Sequence, residues 1–109
     1  MAEHVSFFTA KAKPRKRAAV IEQFAKWDRE QRKHAKGFLR STVAFGRDDP
    51  EEIRGTVQWD NSRNYYANAR RPEQGQWHAE LVGLLTRAPK WWDGSVASES
   101  RGRRSPAQK

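Results

Sequence analysis

The sequence predicts an α+β fold with the ferredoxin-like order β-α-β-β-α-β: one antiparallel four-stranded sheet with its helices on one face. Three observations carry this reading. β-rich segments recur at residues 5–11, 38–46, 53–59 and 91–96. Between the first and second, and again between the third and fourth, the apolar spacing changes to that of a helix. Only a polar turn joins the second to the third, so those two form a hairpin.

Each element has its own signal. In residues 5–11, Val5, Phe7 and Thr9 share one face, and Ser6, Phe8 and Ala10 the other. Lys13-Pro14 stops the strand, and Pro14 suits the first position of a helix. Val20, Phe24, Trp27 and Gln31, with Ile21 and Ala25 beside them, then form an amphipathic stripe that ends before Gly37. Leu39, Val43 and Phe45 mark the second strand, and Arg47-Asp48-Asp49-Pro50-Glu51 is the turn. Ile53, Val57 and Trp59 fall in phase on the third. Asp60-Asn61-Ser62 is a helix-start signal for a short helix through Tyr65, Tyr66 and Asn68. Arg71-Pro72-Glu73-Gln74 opens another helix, whose buried face reads Trp77, Leu81, Leu84 and Leu85 until Pro89 ends it. The strands carry apolar residues in both phases, as in Val5 and Phe7 against Phe8. The open sheet face therefore calls for a cover, and a second copy of the chain is the simplest one.

Composition narrows the function classes. The chain has 109 residues, enough for one domain. The domain is read as residues 1–96, and residues 97–109, rich in Ser, Arg, Gly and Gln, as a basic, disordered tail. There is no cysteine, so disulfides, thiolate metal sites and thiol nucleophiles are excluded. No apolar run reaches the roughly 18 residues of a membrane span, and the start lacks the basic and apolar regions of a signal peptide. A cytoplasmic protein is the expectation. The net charge of +9 is uneven: residues 11–17 carry +5, the end from Ala97 carries +3, and residues 18–96 only +2. Lys13, Arg15, Lys16 and Arg17 surround a helix N-terminus, either as a solvated surface or as an anion site.

Chemistry is harder to place. His4, His34 and His78 fit no metal-ligand spacing, the turn carboxylates are solvated, and no Gly-rich phosphate loop or serine-hydrolase elbow is present. No metal or cofactor is expected. What remains is aromatic: Trp27, Trp59, Tyr65, Tyr66 and Trp77, with Asn64, Asn68 and His78, fall on segments that converge over the sheet. The plain account of the three Trp is core packing. The functional account is an aromatic pocket with a few polar groups, as small-molecule sites usually are. His78, at the border of its helix's apolar face, is the side chain there able to exchange a proton near neutral pH.

Several segments together resemble the antibiotic biosynthesis monooxygenase superfamily, small ferredoxin-like proteins that form dimeric α+β barrels. They are Phe8-Thr9-Ala10-Lys11, Lys36-Gly37-Phe38-Leu39, Val57-Gln58-Trp59-Asp60-Asn61, Asn64-Tyr65-Tyr66-Ala67-Asn68, Arg71-Pro72-Glu73-Gln74 and Pro89-x-Trp91-x-Asp93-Gly94. The resemblance implies a homodimer through the open sheet face. It also implies oxidation of an electron-rich aromatic or quinol-type molecule by O2, in several members without metal or flavin. On that reading His78 accepts or orients a proton, and Asn64 or Asn68 donates to a developing oxyanion. Trp27, Trp59, Tyr65, Tyr66 and Trp77 line the substrate. Haem-degrading relatives use an Asn, a Trp and a haem-ligating His. Those positions fall here on Phe8, Asn68 and His78, so only the histidine matches.

Two other classes compete. A non-catalytic dimer that binds a small molecule needs the same pocket. A nucleic-acid module is less well supported: Lys36-Gly37-Phe38 imitates the start of an RNA-recognition motif, but Leu39, Arg40 and Ser41 break it and Val43 stands where its last aromatic belongs.

Overall fold

Each β-rich segment forms a strand in the computed structural model, which describes residues 2–103. β1 (His4–Lys11), β2 (Phe38–Phe45), β3 (Glu52–Trp59) and β4 (Lys90–Ser95) form one antiparallel sheet in the order β2-β3-β1-β4. Three α-helices follow the expected places: α1 (Arg17–Glu30), α2 (Ser62–Ala69) and α3 (Pro72–Val82). This is the ferredoxin-like arrangement.

Register assigns the faces. Ser6 pairs with Val57 and Phe8 with Gly55 across β1 and β3, while Ser6 meets Asp93 and Phe8 meets Trp91 on β4. These residues face the helices. The core under α1 and α3 joins Phe8, Ala12, Val20, Ile53, Trp77, Leu81 and Leu85. Gly55 makes room for that core. A Cβ there would run into the Phe8 ring, so the missing side chain lets the ring's edge approach the β3 backbone.

Local chemistry explains the helix starts. Asn61 caps α2, its Oδ1 accepting from the Asn64 backbone N–H at 2.9 Å. Pro72 occupies the first turn of α3 behind an extended Arg71. Pro14, however, does not start a helix. Residues 13–16 form a turn closed by Lys16 N–H to Lys13 O at 3.0 Å, with Arg15 at φ 66°. Proline followed by positive φ is the geometry of a type II turn, and α1 begins only at Arg17. The end of α3 also differs from expectation. It stops at Val82, well before Pro89, and Leu84–Leu85 turn back onto the end of β1, where Lys13 N–H binds Leu84 O and Ala12 bridges to Leu85. Leu85 is buried by this return rather than by a helical stripe.

The other sheet face is only partly apolar. Phe7 and Trp92, 46% and 61% exposed, lie with their rings 5.7 Å apart and tilted at 52°, but β2 and β3 present Thr42, Arg54 and Thr56. The sticky part is therefore the β1–β4 half, and Val57 and Trp59 belong to the helix side. Residues 97–103 form no helix or strand, and Glu99 accepts from Arg40 Nη1 at 3.1 Å and Gln58 Nε2 at 3.2 Å. The last six residues of the expected tail lie outside the described residues. The basic cluster is exposed; Arg17 lies over the Phe45 ring at 4.8 Å, and Lys13 Nζ donates to Gly83 O at 3.0 Å. Among the described residues no helix is long and apolar enough to cross a membrane.

Candidate active site

Between the sheet and its helices lies a cavity of about 360 Å³. Its floor is sheet: Phe8, Ser41, Val57, Trp59 and Trp91. Its roof is helix: Phe24 and Trp27 from α1, Tyr65 and Asn68 from α2, Gln74, Trp77 and His78 from α3. Phe38 closes one end, its ring 4.9 Å from Trp27 and 5.5 Å from Trp59.

The helix residues fall where helical spacing puts them. Gln74, Trp77, His78 and Leu81 share one face of α3, and Tyr65 and Asn68 one face of α2. Of the eight residues singled out from sequence, six line the cavity: Trp27, Trp59, Tyr65, Asn68, Trp77 and His78. Asn64 and Tyr66 do not. Asn64 Nδ2 donates to Asp60 Oδ1 at 2.9 Å beside Gly37, which holds φ 85° where any Cβ would strike these two side chains. Tyr66 turns outward and donates to Asp93 Oδ2 at 2.9 Å, a bond that pushes its hydroxyl pKa up.

The polar groups around the cavity are held in defined orientations. Trp77 is core as well as wall: it is buried and its indole N–H donates to Gln23 O at 2.8 Å. The Trp27 indole N–H donates to Gln74 Oε1 at 2.7 Å. Arg71 bridges two helices, with Nη1 donating to Asn68 Oδ1 at 3.0 Å and Nη2 to Gln31 Oε1 at 2.9 Å. The His78 ring stands 6.4 Å from that of Trp91. At the exposed rim, Asp28 pairs with Arg32 at 3.4 Å. Among the described residues no group of three His, Cys, Asp or Glu stands close enough to hold a metal ion.

Behind Tyr65 lies a second polar cluster that the sequence did not announce. Ser6, fully buried, donates to Asp93 Oδ1 at 2.6 Å and meets His4 Nε2 at 2.7 Å. The serine proton is committed to the carboxylate, so His4 Nε2 must carry its own. His4 stacks on Tyr65 at 4.0 Å. Burial lowers the His4 pKa, against an upward pull from Asp93. Burial also raises the Tyr65 pKa, partly offset by the Ser6 hydroxyl. Tyr65 is thus a neutral wall.

Neither a protein-family model nor a curated protein sequence matches the chain. Solved structures do. SnoaB from Streptomyces nogalater, a cofactor-independent oxygenase, superposes with TM-score 0.79 at 15% identity, over 91% of this chain and 97% of that one. The monooxygenase of ActVA-Orf6 from Streptomyces coelicolor, solved with nanaomycin D, gives 0.74 at 21%, over 96% and 93%. A Chloroflexus aurantiacus protein named as an antibiotic biosynthesis monooxygenase gives 0.74 at 20%, over 92% and 98%. The chain has the fold of the antibiotic biosynthesis monooxygenases. That fold places the cavity between sheet and helices and leaves the opposite sheet face bare. Phe8, Phe24, Phe38, Ser41, Gln74 and Trp91 are lining residues not singled out from sequence as site residues. Trp91 reaches the cavity through strand register, which pairs it with Phe8 on the helix side.

Proposed function

We propose that the chain is a small monooxygenase that uses O2 to oxidise an electron-rich aromatic or quinol-type molecule held in this cavity, without a cofactor. The observation that carries the reading is an aromatic cavity with one histidine and oriented amides, in the fold of named oxygenases. A methylene flanked by aromatic rings and a carbonyl illustrates the chemistry. Loss of one proton to His78 leaves a carbanion conjugated with the carbonyl. That anion transfers electrons to O2 and forms a C–O bond; a second proton is lost, and O–O cleavage leaves a ketone oxygen on carbon and one water. All four electrons come from two C–H bonds of the substrate. The protein need only bind, deprotonate and exclude water. Asn68 serves the developing oxyanion. Asn64 would need to leave Asp60 to take part, and Tyr66 would need to turn inward. The bare Phe7–Trp92 half of the sheet is proposed as the homodimer face, and the cytoplasm as the setting.

Oxygen uptake with product analysis tests this across anthrones and hydroquinones, with protein dialysed against chelator and His78→Ala alongside. Turnover that survives chelation and falls in the variant is the expected result. Binding without turnover would assign the cavity to a non-catalytic binding protein instead.

A further inference from the structure

Among the described residues, the cavity's amides have engaged their oxygens and left their nitrogens unpartnered. Asn68 is 7% exposed and its Oδ1 is taken by Arg71. A guanidinium can donate but never accept, so the amide cannot turn the other way without losing this bond. Its Nδ2 has no partner among the described residues, yet no wholly buried side-chain nitrogen or oxygen lacks one. The Nδ2 group is therefore not sealed off, on a residue that lines the cavity. Gln74 repeats the pattern on the next helix. Its Oε1 accepts from the Trp27 indole, another pure donor, and leaves Nε2 over. His78 and Ser41 can donate or accept, and the Asp28 carboxylate is paired at the rim.

We infer that Asn68 and Gln74 form a donor pair, oriented by Arg71 and Trp27, that selects aromatic ligands bearing acceptor oxygens, either carbonyl or ionised phenol. Gln74 thereby becomes a specificity residue and Arg71 a positioning residue. A ligand offering an amine at those points leaves two donors unpaired in a partly desolvated wall, which is where discrimination is largest. The inference rests on the cavity being a ligand site and is independent of turnover.

Calorimetric titration of the whole chain with naphthoquinone, naphthalene and naphthylamine tests it. Naphthoquinone offers only acceptors, naphthalene neither, and naphthylamine chiefly a donor. Gln74→Glu and Asn68→Asp keep the shape and replace the donor by an acceptor. Each is expected to weaken naphthoquinone about tenfold while leaving naphthalene within about twofold. Arg71→Met frees the Asn68 amide to rotate, so the preference for naphthoquinone over naphthylamine shrinks. Arg71→Lys, which also only donates, restores part of it. A merely structural Arg71 would move all three probes together. Equal changes for all three, or no change, overturn the donor pair, with melting curves confirming that each variant is folded. If no probe binds the native protein, naphthalene included, the ligand-site reading itself falls and takes the donor pair with it. If probes bind with the expected preferences but no oxygen is consumed, only the oxygenase reading falls.

Discussion

Two polar clusters stand under the helices, built on opposite plans. At the β1–β4 side, Ser6 gives its proton to Asp93 and takes one from His4, and Tyr66 gives its proton to the other carboxylate oxygen. At the α2–α3 corner, Asn68 and Gln74 orient their oxygens on Arg71 and Trp27 and leave their nitrogens without a partner among the described residues. The first cluster is closed and the second is open. A closed network fixes structure, because each group loses a partner if one is removed. An open one is half-satisfied, and its unmet capacity is what a ligand can use. The proposed function therefore draws on the open cluster. The His–Ser–Asp set resembles hydrolase chemistry in composition, but its serine is sealed and its proton committed.

Both clusters hang on the frame under α1 and α3, so the largest effect comes from breaking it. Trp77→Ala removes a buried indole and its bond to Gln23, and should cost about 3–5 kcal/mol in denaturant unfolding. Next comes the closed cluster. Ser6→Ala leaves His4 and Asp93 facing a methyl group and should cost about 1–3 kcal/mol in the same measurement. Naphthalene binding should be unchanged, which separates the two clusters.

Much of this frame is legible in the sequence. Strand alternation, the α1 stripe and the caps at Asn61 and Pro72 are local signals, and the structure follows them. What failed needed non-local information. Pro14 fits a helix start and a type II turn equally well, and only the Arg15 backbone decides. Leu84 and Leu85 continue a helical spacing, but they are buried by returning to β1. In the site, α2 has eight residues, too few for periodicity to fix its rotation. Tyr65 and Asn68 turn in, while Asn64 and Tyr66 turn away. His4, Ser6 and Asp93 are brought together only by strand register, across 87 positions between Ser6 and Asp93.

A smaller effect isolates the histidine of the closed cluster. The folded His4 pKa lies below its ordinary value of about 6.5. The folded state therefore binds the proton less readily than the unfolded chain. Stability from this group is complete above about pH 6.5 and declines as pH falls towards the folded pKa. Melting temperatures between pH 7.5 and 5 should fall more for the native protein than for His4→Phe. The carboxylates with lowered pKa values, Asp49 and Glu80 among them, act mainly at lower pH. The smallest effect lies outside both clusters. Arg15→Gly relieves a positive φ, and should leave stability within about 1 kcal/mol of the native protein, because glycine also gains freedom when unfolded. Its ligand binding should be unchanged.

Filling the cavity tests most directly whether the chemistry happens there. Ser41 lies on its floor, exposed, on the helix-facing side of β2. Ser41→Trp should project an indole into the open space, with little strain on a strand that favours aromatics. Oxygen uptake on the best anthrone or hydroquinone substrate would be measured beside thermal unfolding. An unchanged melting temperature with turnover lost is the expected result. Turnover at the native rate in a folded Ser41→Trp protein would contradict it, and would move the chemistry out of this cavity.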